Sequence, residues 1–454
     1  MCKTLAAQLQ HLLNSWGITR LDLDRISEST YPNYTILYYM NRITFLLGAG
    51  ASIPAGFAST ECLTEKVLAP EGYHRHTDGR FYPDNGPIGP DHITPVVRRI
   101  IHWLLVQTQE YFQYRDEPRK LNYEDIYYLT SQLEDDATEL QNPAVLPLMR
   151  KLKCDMISWA EFKQYREWNP HCVSDPDSFD FNKFCRETRN YIEDIVNDVL
   201  SNNLKCYLKH LEIIKIIYQT RGLELKGIAT LAHDTHVERN LRSAGIKLAD
   251  GFKSPICGDS LRIWTNQFPA SDGIPFIKLH GSVNWNLFDL PEQHLDEYKT
   301  LPHTEIGICE PLYLENSVYL HNGSVNGRPL LLIGTFNKPI KYNWGLMLDI
   351  HYRFRKILRD SDTLVVCGYS FGDKAINTQL GFWHNAERSR LLVVIDPNDQ
   401  SAVIKSARFA AKDLLGKSQV HFIKGGMQDV EPDKLLGVLK SRLTRSSCWN
   451  LRAP

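Results

Sequence analysis

The chain has 454 residues, which is long for one compact domain and suits two domains or one domain with a large insertion. Its 52 Lys and Arg residues nearly balance its 53 Asp and Glu residues, so no overall field directs the protein to nucleic acid or to an anionic membrane. No apolar run approaches the length that spans a bilayer, and the N-terminus lacks the apolar core of a signal peptide, so we expect a cytoplasmic protein without a membrane partner.

The ten cysteines are scattered along the chain, and no two of them have Cys-x-x-Cys spacing. A structural zinc ribbon needs such pairs, so the sequence does not support one, and we expect no metal. In a cytosolic chain these residues are expected to be reduced thiols, several of them small core fillers.

The first 40 residues carry leucines at helical spacing and predict an N-terminal helical cap, which we delimit as 1–40. An oligomerisation arm is the alternative interpretation, and the sequence does not separate the two.

The stretch that follows predicts a strand at 43–48, a turn at Gly48-Ala49-Gly50 and a helix over 52–68 that opens at Ser52. A buried strand, a glycine turn and a helix N-terminus form a geometry that holds a phosphate. The helix end offers unpaired N–H groups, and glycine lets the backbone come close. By itself the stretch is equally compatible with an ordinary turn between a strand and a helix.

The segment from 69 to 91 is rich in Pro, Gly, His and Asp and predicts a long loop, which is either a binding segment or a surface insertion. Residues 94–220 predict helices almost throughout, and we assign 94–221 as a mostly α-helical insertion. The aromatic residues between Trp159 and Phe184 favour an insertion core over a docking surface, because aromatic clusters are usually buried.

An alternation of strands and helices resumes after the insertion. Strands are predicted at 227–231, 276–279, 330–335, 363–368, 391–396 and 420–423, and helices at 344–358, 375–383 and 435–443. Short β-branched runs between helices indicate a parallel sheet covered on both faces. The predicted fold class is therefore α/β, a Rossmann-like domain built from 41–93 and 222–454 and interrupted by the helical insertion.

Small and polar residues follow nearly every predicted strand, at the edge where ligands bind in such sheets. They are Gly48-Ala49-Gly50-Ala51-Ser52, Ala232-His233-Asp234, His280-Gly281-Ser282, Gly368-Tyr369-Ser370 and Asp396-Pro397-Asn398. Asp396 could accept a ribose hydroxyl, and His280 could act as a general base. A strand-end His that bonds a backbone carbonyl is the alternative for His280, and helix capping is the default role for Asp234.

These strand-end segments, with Thr230 to Glu238 and Leu279 to Trp285, resemble the ordered motif set of the sirtuin superfamily. They are most similar to the sirtuin-like domains of bacterial anti-phage defence proteins. The resemblance covers 43–60 and about 225–425. It implies that NAD binds as substrate and that its nicotinamide–ribose bond is cleaved, with NAD depletion when infection is sensed. It also implies a homo-oligomer or a larger assembly with a partner such as a DNA-translocating ATPase or a short Argonaute.

Two departures from the family pattern qualify this expectation. The zinc ribbon of protein-deacetylating members is missing, as is the Pro-Asp-Phe-Arg run after the first loop, which favours hydrolysis over deacylation. The family's Thr-x-Asn-x-Asp pattern reads Thr230-Leu231-Ala232-His233-Asp234 here, and alanine cannot hydrogen-bond a water or a sugar. We therefore expect either a pseudoenzyme or an enzyme disabled by substitution, and the intact His280 favours the second.

The hypothesis from the sequence is an NAD glycohydrolase that forms nicotinamide and ADP-ribose, or a cyclised product. Catalysis would involve His280, Asp234 and the amide expected where Ala232 stands. NAD would be held by the residues Gly48, Ala49, Gly50, Ser52, Thr230, Gly368, Ser370, Asp396 and Asn398. The alternatives are a non-catalytic NAD or ADP-ribose sensor and an assembly module.

Overall fold

A computed structural model gives the structure of the protein. It describes residues 40–69, 72–84, 91–113, 121–135, 143–169, 179–201, 211–253, 261–289, 304–309, 319–320, 328–334, 338, 342, 345–408 and 411–449. The predicted cap at 1–40, and its alternative as an oligomerisation arm, lie outside these residues apart from Met40. No helix in the described part of the chain is both long enough and apolar enough to cross a bilayer.

The described strands are β1 (Asn41–Leu47), β2 (Tyr73–Arg75), β3 (Phe81–Pro83), β4 (Leu223–Thr230), β5 (Leu248–Ala249), β6 (Phe252–Lys253), β7 (Leu261–Trp264), β8 (Ile274–Lys278), β9 (Asn286–Asp289), β10 (Thr304–Cys309), β11 (Tyr319–Leu320), β12 (Thr363–Cys367), β13 (Leu391–Asp396) and β14 (Val420–Lys424). The described α-helices are α1 (Thr60–Leu68), α2 (Thr94–Gln113), α3 (Tyr123–Asp135), α4 (Leu146–Ser158), α5 (Ala160–Trp168), α6 (Phe181–Ser201), α7 (Glu212–Gln219), α8 (His236–Ser243), α9 (Gly345–Arg359), α10 (Lys374–Ala386), α11 (Gln400–Ser406), α12 (Ala411–Leu415) and α13 (Pro432–Trp449).

The centre of the fold is a seven-stranded sheet in the order β14-β13-β12-β1-β4-β8-β5, and every pairing in it is parallel. From β1 the chain adds strands toward one edge, then returns to β12 and builds toward the other edge. The order therefore reverses beside β1. In open α/β sheets the crevice at such a reversal, outside the carboxyl ends of the strands, is where ligands bind.

The predicted fold class is confirmed, including the mostly helical insertion between β1 and β4. Helices α2 to α7 supply that insertion, and their apolar faces join the core of the sheet. Ile43 and Phe45 of β1 lie in the same buried cluster as Ile192 and Ile195 of α6. Since the two parts share one core, the boundaries at 93/94 and 221/222 remain predictions.

The aromatic residues at the centre of the insertion are mostly core residues. Trp159 and Tyr165 are buried, and Phe179 packs against the same cluster. Trp168 differs, because it is exposed and stacks on His92 with ring centroids 4.6 Å apart.

The predicted helix over 52–68 is wrong in its first eight residues. Short 3-10 turns occupy Ala49–Ala51 and Ile53–Ala55, and α1 begins only at Thr60. Gly56 ends the second turn at a φ of 86°, a left-handed conformation that stops a helix. The Ser59 hydroxyl oxygen then caps α1 by accepting a hydrogen bond from the Cys62 N–H group.

The predicted strand at 330–335 is not part of the parallel sheet. Leu331 forms an isolated antiparallel bridge with Gly281, while Leu330 O accepts from Ser282 N and Leu332 N donates to His280 O. The segment therefore binds along the loop that follows β8 instead of joining a strand edge.

Two smaller sheets were not predicted. The long loop expected at 69–91 contains the β2–β3 hairpin, and residues 70–71 and 85–90 of that loop lie outside the described part of the chain. The second is an antiparallel sheet in the order β11-β9-β10-β7-β6. Its strands are 2 to 6 residues long, which is too short for an alternating pattern to stand out in the sequence.

Gly48 and Gly368 bring the loops after β1 and β12 into backbone contact. A Cβ atom on Gly48 would lie 2.1 Å from Gly368 O, closer than any real contact. We expect Gly48→Ala to lower the free energy of unfolding by about 3 kcal/mol or more, because two backbones would have to separate. Urea unfolding measures this.

Gly381 in α10 provides the matched control. A Cβ there meets no atom of the described chain within 4 Å. Alanine at that site is expected to raise the free energy of unfolding by up to about 1 kcal/mol, because glycine weakens a helix interior. A Gly48→Ala protein as stable as its parent would contradict the contact.

Candidate active site

A cavity of about 510 Å³ opens at the carboxyl ends of β1, β4 and β12, beside the reversal in strand order. The residues that line it include Gly48, Ala49, Gly50, Glu61, Glu124, Ala232, His233, Asp234, His280, Lys338, Gly368, Tyr369, Ser370, Asp373 and Arg408. Its volume is within the range of about 300–1,000 Å³ usual for small-molecule sites.

The glycine loop after β1 is held by hydrogen bonds to the loop after β12. Gly48 N donates to Cys367 O at 2.8 Å, and Gly50 N donates to Gly368 O at 3.0 Å. The N–H groups of Ala51 and Ser52 donate back to Gly48 O and Ala49 O within the 3-10 turn. A ligand can therefore come close to the backbone of this loop. Of the N–H groups from Gly48 to Ser52, however, only that of Ala49 has no acceptor among the described residues.

Ser52 and Thr230, both predicted to bind NAD, have other contacts. Neither is among the residues that line the cavity in the described chain. Ser52 is fully buried and its hydroxyl donates to Asp234 Oδ1 at 3.3 Å. Thr230 Oγ1 accepts from Ala232 N at 3.1 Å, which fixes the turn after β4.

Ala232 and Asp234 do line the cavity. The Ala232 side chain is a buried methyl group that can neither donate nor accept a hydrogen bond. Asp234 Oδ1 accepts from His236 N, the first residue of α8, at 2.9 Å, but the N-cap residue of that helix is Thr235.

His280 forms a buried pair with Asp373. Its Nε2 atom lies 3.0 Å from Asp373 Oδ2 and 3.0 Å from the Tyr342 hydroxyl, which itself donates to Asp373 Oδ2 at 2.7 Å. A carboxylate only accepts, so Nε2 carries the proton in the neutral ring. The basic lone pair is then on Nδ1. His280 stands out in the sequence, whereas its partner Asp373 does not.

The electrostatics keep this pair in the form that a base requires. Burial lowers the pKa of His280, and the charge of Lys338 lowers it further, while the hydrogen bond with Asp373 opposes both. Burial acts to raise the pKa of Asp373, but its interactions with His280 and Lys338 outweigh burial and hold that pKa below its usual range. At neutral pH the imidazole is therefore neutral and the carboxylate is ionised.

Tyr342 supports the pair from the other side. Burial raises the pKa of its phenol, and the Asp373 charge adds to this, so the phenol stays protonated and donates. Its ring packs on His351 with centroids 3.6 Å apart, and the His351 Nε2 atom lies 3.2 Å from Leu279 O. Burial lowers the pKa of His351 to about 4.

Asp373 also begins α10, where its Oδ1 atom accepts from Ala375 N and Ile376 N. One carboxylate thus caps a helix and orients the histidine. The available sequence signal was an acidic residue before a predicted helix, which points to a cap and nothing more.

The loop after β12 has an unusual backbone. Gly368 has a φ of 65° and the buried Phe371 a φ of 55°, both in the left-handed region. Asn377 holds this loop by donating to Phe371 O at 2.8 Å. Such backbone strain is typical of functional sites. Gly368 and Ser370 line the cavity, and their binding of a nucleotide remains a prediction.

Asp396 and Asn398 are not brought into this cavity. Both are absent from the lining that the described residues form, and they bond each other through Asp396 Oδ1, which accepts from the Asn398 main chain at 2.8 Å and from its side chain at 3.0 Å. They follow β13, one strand beyond β12 in the sheet. Their predicted contact with the adenosine half remains a prediction.

Several charged or titratable residues of the cavity were not predicted, among them His233, Lys338 and Glu124. His233 is buried with its ring 6.1 Å from that of His280, and its Nδ1 atom has no partner in the described chain. Burial lowers the pKa of His233 well below its usual value. Lys338 Nζ pairs with Glu124 from α3 of the insertion at 3.2 Å. The pairing of residues so distant in sequence leaves no local signal.

No group of three or more His, Cys, Asp or Glu side chains in the described part of the chain is arranged to hold a metal ion. The expectation that the protein needs no metal remains a prediction.

No family model matches the chain, and no curated protein matches it. Similar solved structures include a Sir2 homologue–NAD complex, at 10% identity and a TM-score of 0.32 over 91% of this chain and 96% of that chain. A mutant Sir2 homologue with ADP ribose has 12% identity and a TM-score of 0.33 over 90% of this chain and 95% of that chain. Likeness at this level assigns neither a family nor an activity to the chain.

The pairing of His280 with Asp373 can be tested with Asp373→Asn. Asparagine still caps α10, but it removes the negative charge that favours the protonated ring. We therefore expect the pKa of His280 to fall further, as measured by NMR of the labelled histidine ring.

The control is Asp399→Asn, which alters another Asp that caps a helix, since the Asp399 side chain accepts from Ala402 N at the start of α11. It should leave the His280 titration unchanged. An unchanged titration in the Asp373→Asn protein would show that the carboxylate does not control the ring.

Proposed function

We propose that the cavity binds NAD and that its residues form the site of an NAD glycohydrolase. Ala232 keeps this site inactive. The observation that supports this best is the meeting of the His280–Asp373 pair with the glycine loops at the strand reversal. Cleavage of a bound dinucleotide requires a general base and a loop whose backbone can lie close to the ligand. This cavity contains both. The motif resemblance to sirtuins supplies the substrate class.

The reaction would break the bond between the ribose C1′ atom and the nicotinamide nitrogen. The bonding electrons leave with nicotinamide, and an oxocarbenium-like sugar remains, which fixed dipoles of a buried site stabilise. Water then forms the new bond to C1′ and passes a proton to Nδ1 of His280. Asp373 keeps the ring in the tautomer with the proton on Nε2. The products are nicotinamide and ADP-ribose.

With Ala232 in place, the proposed site would bind NAD but would not cleave it. The residue lines the cavity, and its methyl group provides no hydrogen bond to a water or a ribose hydroxyl. An asparagine amide at this position would provide both a donor and an acceptor. Binding without turnover is therefore expected of the protein as it stands.

The test is Ala232→Asn with NAD consumption as the measurement. Turnover is expected to appear in the Asn form and to fall about 10²–10⁴-fold when His280→Gln is added, the usual contribution of a general base. Turnover should also decline as the pH falls through a pKa below the ordinary 6.5 of histidine, because protonation removes the base.

Ala232→Leu is the shape-matched control, since leucine has the same branching and the same number of side-chain heavy atoms as asparagine but has no amide. It should stay inactive. If the Asn form binds NAD and is as inert as the Ala form, hydrolysis is excluded and the non-catalytic sensor, which Ala232 itself favours, becomes the function.

The wider setting rests on the motif resemblance alone. We propose that the enzyme depletes cytoplasmic NAD in anti-phage defence and that it works as a homo-oligomer or with a partner such as an ATPase. Expression of the Ala232→Asn protein should then lower cellular NAD and slow growth, whereas the parent should not. Unchanged NAD during expression of a protein that is active in vitro would argue for control by a partner.

A further inference from the structure

The cavity poses a charge problem for an anionic ligand. Its described lining includes the carboxylates of Glu61, Glu124, Asp234 and Asp373, but of Lys and Arg only Lys338 and Arg408. A dinucleotide adds two negative charges on its diphosphate. The N–H groups of the loop after β1 largely donate within the protein, so side-chain cations must supply most of the countercharge.

Lys338 is a buried cation with a loosely held partner. The residue is 5% exposed, and its Nζ atom lies 3.2 Å and 3.3 Å from the two Glu124 oxygens. Strong charge-assisted bonds are shorter, about 2.7–2.9 Å. An ammonium group has three donors, and among the described residues Glu124 is the acceptor that Lys338 Nζ reaches. Donor capacity therefore remains for a ligand.

The ion pair is next to the reacting end of the cavity. The charge of Lys338 acts on both His233 and His280, adding to the effect of burial in lowering the pKa of each. Glu124 acts on His280 in the opposite sense. Lys338 and both histidines line the same cavity, so a nucleotide bound there would lie near the ammonium group.

We infer that Lys338 binds the diphosphate of the nucleotide and that Glu124 is its resident competitor, displaced from the ammonium group when the ligand enters. The inference rests on the proposed function and adds the residue that recognises the anion. A phosphate oxygen can take the place of a carboxylate oxygen as the acceptor of hydrogen bonds from an ammonium group.

The ion pair joins the helical insertion to the rest of the site. Glu124 is in the first turn of α3, whereas Lys338 follows the segment that binds along the loop after β8. Entry of the nucleotide would break this ion pair between the insertion and the site. Occupancy of the cavity would therefore remove one contact between the insertion and the site.

Calorimetric titration of the Ala232 protein with ADP-ribose tests the inference. Lys338→Met should weaken binding about 10- to 100-fold, because it removes a charge-assisted contact. Glu124→Gln should tighten binding by about 3- to 10-fold, because the competing charge is gone. Adenosine, which has no phosphate, should bind equally to all three proteins.

Opposite signs distinguish this role from a structural ion pair, for which both variants would weaken binding. Lys226 and Glu224 form a more exposed ion pair at 3.0 Å outside the cavity lining, and Lys226→Met and Glu224→Gln should leave the affinity unchanged. If Lys338→Met does not fold, Glu124→Gln alone decides, and weaker or unchanged binding overturns the inference.

Different results would contradict the proposed function and the role of Lys338 and Glu124. A parent protein that binds neither NAD nor ADP-ribose overturns both proposals. A parent that binds ADP-ribose, with both variants weakened or both unchanged, overturns the role of Lys338 and Glu124 alone.

Discussion

The contact between Gly48 and Gly368 is the constraint on which the site depends. The loops after β1 and β12 touch backbone to backbone, and no Cβ atom can stand between them. This contact joins the two strands at which the strand order reverses, and both glycines line the cavity. The cost is that four of the loop's five N–H groups are used to hold it together.

Because these N–H groups already donate within the protein, the charges that act on a ligand must come from side chains. Asp373 illustrates how few are needed, since one carboxylate begins a helix, fixes the His280 ring and accepts from Tyr342. Burial lowers the pKa of His280, while the paired carboxylate limits that effect. The opposing influences produce a neutral ring with a defined tautomer, which is the state that a general base needs.

The helical insertion is part of the site as well as of the core. Ile192 and Ile195 pack with β1 in one apolar cluster, and Glu124 reaches the cavity from α3. A segment that interrupts the sheet in sequence is thus a wall of the cavity in space. Any change in the position of α3 would change the charges that surround His280.

The sequence alone predicted the α/β class, the positions along the chain of most strands of the parallel sheet and the sheet edge at which Gly48, Ala232 and His280 meet. These follow from local signals, because continuous apolar runs predict buried strands and parallel strands place their carboxyl ends together. It did not determine the partner of His280, the Lys338–Glu124 ion pair or the separation of Asp396 from the cavity. Nor did it show that the helix after Ser52 begins only at Thr60. The start of that helix follows from the neighbouring Gly56 and Ser59, whereas the partner of His280 and the Lys338–Glu124 ion pair were decided only by the tertiary structure, because they are contacts between residues far apart in the chain.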